Sequence, residues 1–146
     1  MNKSEILKIV HEKLDLKIKT LENLISETRA SNNETKSSMG DKYETTREMV
    51  QQEINNLQVQ LNENIKAKNS LKLIPLSAAK SVVFGSLVES SKGLFYISVS
   101  LGTIEIDKQK IFLISPESPL SKAMNGKLNG EEFSLNNINQ KIIKIW

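Results

Sequence analysis

Two apolar stripes at helical spacing, both within residues 4–68, restrict the fold of this chain more than any other feature of its sequence. The first comprises Leu7, Val10, Leu14, Ile18, Leu21 and Thr28, and the second comprises Tyr43, Val50, Ile54, Leu57, Leu61 and Ile65. Steps of three, four and seven residues are typical of one helix face. When the stripes are paired in reverse order, the two residue numbers of each pair add up to 71 or 72. The pattern therefore predicts an antiparallel coiled coil with its turn near residues 35 and 36.

Local signals predict where the two helices begin and end. Ser4 is a suitable N-cap for the first helix, and the polar run Ser31–Asn33 favours its end just before that run. Asp41, with an acid three positions later, fits a capping box at the start of a second helix that runs to about Lys68. We therefore expect a polar tip over residues 31–40.

Composition excludes several other classes of protein. The net charge of +3 is spread evenly along 146 residues, so binding to nucleic acid through a basic block is not indicated. The absence of cysteine excludes a disulfide framework and a thiolate zinc site. Charged residues interrupt the apolar residues near the N-terminus, so we expect neither a signal peptide nor a membrane span. We therefore expect a cytoplasmic protein.

Beyond Pro75 the sequence changes from a helical period to short strands. The predicted elements are the strand pairs Ser81–Glu89 with Leu94–Val99, Thr103–Ile106 with Lys110–Ile114, and Glu132–Leu135 with Lys141–Ile145, and a short helix over Leu120–Met124. These elements predict an α+β fold, in which an N-terminal antiparallel coiled-coil hairpin precedes a small antiparallel sheet domain with a short helix. We place the two domains at residues 1–74 and 75–146.

Two segments also carry a resemblance to a known family. Residues 118–127 read Ser-Pro-Leu-Ser-Lys-Ala-Met-Asn-Gly-Lys and are followed by Gly130, Glu131 and Phe133, while Tyr43, Arg47 and Glu48 open the second predicted helix. Both segments resemble the Gre family of bacterial transcription elongation factors. In that family the first segment lies in an FKBP-like C-terminal domain, and the second begins the second helix of a coiled coil. The resemblance therefore implies an FKBP-like sheet domain here.

The resemblance also implies a partner and a function. The FKBP-like domain would dock on bacterial RNA polymerase at the mouth of its secondary channel, and the hairpin would enter the channel. The candidate partner-binding residues are then Ser118, Pro119, Lys122, Gly126 and Lys127. The protein would be at most an accessory to the RNA cleavage activity of the polymerase, not itself an enzyme. It would be a monomer that meets nucleic acid only through the elongation complex and does not bind a membrane.

The tip of the hairpin departs from the family pattern. Acidic tip residues in cleavage-competent members help to hold a second Mg²⁺ at the polymerase active site, since Mg²⁺ prefers carboxylate oxygen. Lys36, Met39, Gly40 and Lys42 occupy the positions where the family pattern has Asp, Glu, Asn and Glu. Glu34 and Asp41 remain as the candidate catalytic and metal-binding acids, which would share Mg²⁺ with the polymerase; we expect no cofactor bound to this chain alone.

Three functional hypotheses stay open at this point. The protein would stimulate cleavage of backtracked RNA through Glu34 and Asp41, or it would occupy the secondary channel without cleavage. The third hypothesis is a non-transcriptional interaction protein whose coiled coil binds a helical partner.

Overall fold

The structure, a computed structural model, confirms the predicted α+β class. It describes residues 1–39 and 44–146, and the side chains of residues 1–31 and 45–146. In chain order the elements are α1 Lys3–Met39, α2 Glu44–Leu71, β1 Leu87–Ser90, β2 Gly93–Ile97, β3 Gly102–Ile106, β4 Gln109–Ile114, α3 Pro119–Met124, β5 Glu132–Leu135 and β6 Ile138–Ile145. In the described part of the chain, no helix is long and apolar enough to cross a membrane.

The chain divides into two compact units. The helical unit comprises residues Glu12–Asn69, and the sheet unit comprises Met1–His11 together with Ser70–Trp146. These bounds differ from those of the predicted domains, 1–74 and 75–146, which stay a prediction.

An apolar cluster joins α1 and α2 inside the helical unit. Leu21 and Ile25 of α1 and Ile54, Leu57 and Leu61 of α2 are all buried, and Ile18 and Val50 pack against them. All but Ile25 belong to the stripes defined from the sequence. Burying each of the five buried side chains contributes about 1.5–3 kcal/mol, so the helix pair is held together largely by the predicted faces.

The register of the two helices differs from the predicted one. Asp15 and Lys68 form an ion pair of 2.7 Å, and their residue numbers add up to 83. Asp15 precedes Met39, the last residue of α1, by 24 positions, and Lys68 follows Glu44, the first residue of α2, by 24 positions. The two helices therefore run antiparallel, but the expected sum of 71 or 72 and the expected turn near residues 35 and 36 are wrong.

The reason lies in the period of the stripes. The difference between sums of 72 and 83 is 11 residues, which is about three turns of helix at about 3.6 residues per turn. Sliding one helix by three turns again brings an apolar face opposite an apolar face. The stripes thus specify which faces meet, whereas their register depends on where the chain turns. Ile65, the last residue of the second stripe, is accordingly 41% exposed.

The helix ends also differ from their sequence signals. Asn2 rather than Ser4 caps α1, because the Asn2 side-chain oxygen accepts hydrogen bonds from the main-chain nitrogens of Ser4 and Glu5, at 3.0 and 3.2 Å. The α1 backbone stays helical through Ser31–Asn33, since Ser and Asn each cost only about 0.5 kcal/mol relative to Ala in a helix and neither Gly nor Pro occurs before residue 40. The predicted cap Asp41 lies outside the described residues.

The sheet unit contains one six-stranded sheet in the order β3-β4-β2-β1-β6-β5. Its neighbours are antiparallel except β2 and β4, which run parallel from Leu94 opposite Ile111 to Ile97 opposite Ile114. The sheet is therefore mixed rather than wholly antiparallel. The three predicted strand pairs are all present; the sequence pattern specifies each hairpin, but not which strand of one hairpin lies beside the next.

Two strands begin more than one residue away from their predicted start. Residues 81–86 do not extend β1, because Gly85 has a φ of +89° and the Ser86 hydroxyl donates to the Val83 carbonyl at 2.7 Å and accepts from the Val83 nitrogen at 3.1 Å. These bonds form a turn instead of a strand. β6 begins three residues early, since the loop before it is only Asn136 and Asn137, both at positive φ as in a two-residue hairpin turn.

Side chains on both faces of the sheet are buried at its central strands β1 and β2. One face belongs to a core cluster made by Val82, Val88, Phe95, Ile97, Met124, Phe133, Ile142 and Ile145. Side chains alternate along a strand, so Leu87 and Tyr96 point to the opposite face, and both are fully buried. Lys3 is fixed to the same unit, where its ammonium group donates to the carbonyl oxygens of Ser77 at 2.9 Å and Trp146 at 3.2 Å. The start of α1 is thereby bound to the sheet.

Candidate partner-binding site

The segment that carries the family resemblance folds around α3. Ser118 is the N-cap, with its hydroxyl accepting a hydrogen bond from the Ser121 nitrogen at 3.2 Å, and Pro119 occupies the first turn. Both residue types suit these positions, because a serine oxygen satisfies an orphan N–H and proline has none to satisfy. The Ser118 and Ser121 hydroxyls are also 3.0 Å apart. The Ser-Pro pair of the motif is therefore explained by the start of this helix.

One side of α3 is fixed in the core and the other is exposed. Met124 is completely buried in the core cluster, and Leu120 and Ala123 pack against that cluster. Pro119 and Lys122 are exposed on the same helix. Because the buried side is anchored, the helix presents Pro119 and Lys122 on a rigid surface. This is the arrangement that a protein-docking element requires.

The residues after α3 are held by main-chain hydrogen bonds to Val82. The Gly126 nitrogen donates to the Val82 carbonyl at 2.8 Å, and the Val82 nitrogen donates to the Lys127 carbonyl at 2.9 Å. Gly126 has a φ of +77°, a conformation that glycine adopts readily and other residues rarely adopt. The Lys127 side chain is half-buried. The predicted residues Ser118, Pro119, Lys122, Gly126 and Lys127 thus lie on one short, well-anchored segment, and their role in binding stays a prediction.

Two exposed apolar residues near this segment were not singled out from the sequence. Val83 is 42% exposed and follows Val82, while Leu128 is 48% exposed and follows Lys127. The sequence pattern placed Val83 within a strand, where its exposure could not be foreseen. In the structure Val83 belongs instead to the turn that its main chain forms with the Ser86 hydroxyl. Both residues add apolar surface beside the lysines of the segment.

Burial shifts the pKa values of two ionisable groups in the sheet unit. Desolvation raises the pKa of the Tyr96 phenol to about 12, and among the described side chains its hydroxyl is a buried polar group without a hydrogen-bond partner. Desolvation lowers the pKa of Lys3 from its ordinary value. Neither residue belongs to the predicted site.

The candidate tip acids cannot be placed against one another. Glu34 lies within α1, but its side chain is outside the described side chains, and all of Asp41 is outside the described residues. A metal site built from these acids stays a prediction. Among the residues that the structure does describe, no group of three or more His, Cys, Asp or Glu side chains is arranged to hold a metal ion.

Comparisons with known proteins give similar structures but no sequence match. No protein-family model and no curated protein matches the chain. A crystal structure of GreA factor homolog 1 (Gfh1) of Thermus thermophilus is 17% identical with a TM-score of 0.38, over 93% of this chain and 94% of that chain. Gfh1 of Thermus aquaticus is 18% identical with a TM-score of 0.37, over 92% of each chain. A structure of the transcription factor Gfh1 is 16% identical with a TM-score of 0.38, over 92% of each chain.

Proposed function

We propose that this chain binds bacterial RNA polymerase and regulates transcription elongation through the secondary channel. The observation that carries the proposal is the agreement between the resemblance at residues 118–133 and the local structure. Ser118 caps α3, Gly126 leaves it at positive φ, and Gly130 has a φ of +84° before β5. The serine and both glycines of the family pattern therefore each have a task in this segment, which argues against a chance match.

The helical unit supports the second part of the proposal. From the Asp15–Lys68 ion pair to the end of α1 there are 24 residues, a length of about 36 Å at about 1.5 Å per residue. Most exposed side chains of α2 are polar, apart from Met49, Val59 and Ile65. Side-chain hydrogen bonds run from Gln51 to Asn55 and from Gln58 to Asn62. A hairpin of this length and polarity suits insertion into a deep aqueous channel.

The composition of the tip favours channel occupation without cleavage as a second candidate function. Lys36, Met39 and Lys42 stand where the family pattern has acids. Neither an ammonium group nor a thioether is a ligand for Mg²⁺, which prefers carboxylate oxygen. Stimulation of the polymerase's cleavage activity by this chain would therefore depend on Glu34 and Asp41, the acids that remain near the tip.

Backtracked elongation complexes test the proposal and separate its two forms. The protein is added to purified complexes, and polymerase binding and shortening of the RNA 3′ end are measured together. We compare the double variant Glu34→Ala and Asp41→Ala with Glu27→Ala, which removes an exposed acid from α1 below the tip. RNA shortening that only the double variant loses supports the cleavage form.

The other outcomes are equally informative. Binding without RNA shortening supports channel occupation. No binding by the unaltered protein overturns the proposal and leaves the third hypothesis, a non-transcriptional interaction protein.

A second pair of variants tests the docking segment: Lys122→Glu is expected to weaken binding several-fold, whereas Lys92→Glu, in the exposed turn between β1 and β2, is expected to leave it unchanged.

A further inference from the structure

The loop between α3 and β5 contains the same arrangement twice. Residues 125–127 read Asn-Gly-Lys and residues 129–131 read Asn-Gly-Glu, and both asparagines are exposed. Gly126 and Gly130 have φ values of +77° and +84°, and a Cβ at either position would meet no atom within 4 Å. Glycine is therefore favoured here by the backbone conformation rather than by lack of space.

Each glycine is fixed by a reciprocal pair of main-chain hydrogen bonds to a buried core residue. Gly126 donates to the Val82 carbonyl at 2.8 Å, and Val82 donates back to Lys127 at 2.9 Å. Gly130 donates to the Ile142 carbonyl at 2.7 Å, and Ile142 donates back to Glu131 at 2.9 Å. Both partners belong to the core cluster of the sheet unit. The N–H groups of both glycines are thus occupied in the folded protein.

We propose that Asn125 and Asn129 are sites of spontaneous deamidation whose rates are controlled by these hydrogen bonds. In this reaction the glycine nitrogen attacks the side-chain Cγ of the preceding asparagine. The new N–Cγ bond closes a five-membered imide ring, the Cγ–Nδ2 bond breaks, and the proton of the glycine N–H leaves with the amide nitrogen as ammonia. Water then opens the ring to aspartate or to isoaspartate.

The folded state opposes this attack at both asparagines. A nitrogen that donates a hydrogen bond at 2.7 or 2.8 Å is not free to lose its proton and turn towards the side chain. At Asn125 the main-chain ψ is 128°, and ring closure needs rotation about this bond, one of the two soft torsions of each residue. That rotation would break the bridge between Gly126 and Val82. Deamidation therefore requires local opening of the loop.

The reaction would change the segment that carries the candidate partner-binding residues. Aspartate at position 125 adds a negative charge between Lys122 and Lys127 in the sequence, and isoaspartate also adds one backbone atom before Gly126. The extra atom would displace Gly126 from Val82. The modified chain is thus expected to have a less basic and less rigid loop, independently of whether RNA polymerase is the partner.

Peptide mass spectrometry of the full chain tests the proposal. The protein is incubated at pH 8.5 with and without urea, and conversion at both asparagines is followed with time. We expect conversion to be at least about tenfold slower in the folded protein, because local opening limits it. Asn136, which is followed by Asn137, serves as an internal control and is expected to react more slowly than either site in urea. Equal rates in the folded and unfolded protein would overturn the proposal.

Variants test each bridge separately. Val82→Ala, which removes core contacts beside the first bridge, is expected to accelerate deamidation of Asn125 more than that of Asn129. Ile142→Ala is expected to accelerate deamidation of Asn129 more than that of Asn125. Gly126→Ala is a matched control for the reaction in urea. Its added Cβ hinders attack by the nitrogen of residue 126, so it is expected to slow deamidation of Asn125 alone. Identical acceleration of both asparagines in both core variants, at a urea concentration where the variants remain folded, would contradict local control by the bridges.

Discussion

The close approach of Gly85 to the segment before the sheet leads to a quantitative prediction. A Cβ at Gly85 would lie 3.0 Å from Pro75 Cδ and 3.1 Å from Ile74 Cγ2, and its φ is +89°. Gly102 has a similar φ of +79°, but a Cβ there would meet nothing within 4 Å. Replacing each glycine by alanine therefore imposes the same backbone strain, and only Gly85→Ala adds a steric clash.

The two contributions can be estimated separately. Holding an alanine at positive φ costs about 1–2 kcal/mol, which applies to both variants. Overpacking against a proline ring and a buried isoleucine costs about 1–3 kcal/mol more, and this applies to Gly85→Ala alone. We expect Gly85→Ala to lower the free energy of unfolding by about 2–5 kcal/mol in total, the sum of these two ranges, and Gly102→Ala to lower it by about 1–2 kcal/mol.

Urea unfolding followed by tryptophan fluorescence measures this difference. Trp146 is the only tryptophan in the sequence and belongs to the sheet unit, as do both glycines. The fluorescence transition therefore reports on the unit that carries the substitutions. Equal losses of stability in the two variants, within about 0.5 kcal/mol, would refute the argument that the Pro75 contact matters, because additivity of independent effects holds to about that value.

Three further predictions concern other parts of the chain. Tyr96→Phe removes a buried hydroxyl without a partner, so it is expected to stabilise the sheet unit by up to about 1–3 kcal/mol in urea unfolding; a loss of stability would contradict this. The folded-state pKa of Lys3 is lowered below 10.5, so the unfolded chain binds more protons in the window just below pH 10.5. The stability of the unaltered protein relative to Lys3→Met is therefore expected to rise as the pH increases through that window, and a fall would contradict it. Because the chain has no native cysteine, two double-cysteine variants test the register of the helices. A short bis-maleimide is expected to link the cysteines of Asp15→Cys with Lys68→Cys, but not those of Asp15→Cys with Asn56→Cys. Linkage of the second pair and not the first would support the register predicted from the stripes.

Much of the architecture followed from local patterns, which act over a few residues. The β5 strand, the start of α3 and the turn between β3 and β4 were predicted within one residue, because alternating side chains, a Ser-Pro start and polar turn residues each specify one local geometry. The same holds for the apolar faces of α1 and α2. These features depend on neighbours in the sequence, so a single sequence contains the information.

Apart from the ends of helices and strands, the errors concern contacts between distant residues. The register of the hairpin depends on where the turn falls, and the stripes repeat too regularly to locate it. The parallel pairing of β2 with β4 arises from how two hairpins join, which neither hairpin specifies. The attachment of Lys3 to Ser77 and Trp146 spans 74 and 143 residues, and a lysine near the N-terminus offers no sign that it will be buried.

The candidate site was predicted unevenly for the same reason. Residues 118–127 form a continuous segment, so their motif could be recognised and their local structure explained. Val83 and Leu128 come from two segments that are distant in the sequence and are joined by the bonds of Val82 to Gly126 and Lys127. Their exposure on one part of the fold could not be derived from spacing.

Site-specific photo-crosslinking to bacterial RNA polymerase tests the central claim most directly. A photoreactive amino acid is placed at Lys36, near the end of α1, and a second copy of the protein carries it at Lys92 in the sheet unit. If the hairpin enters the secondary channel, the probe at position 36 will crosslink to polymerase residues that line the channel near the active centre, and the probe at position 92 will not. Binding to polymerase with no channel crosslink from position 36, or crosslinks from that position only to the outer surface, would contradict the account.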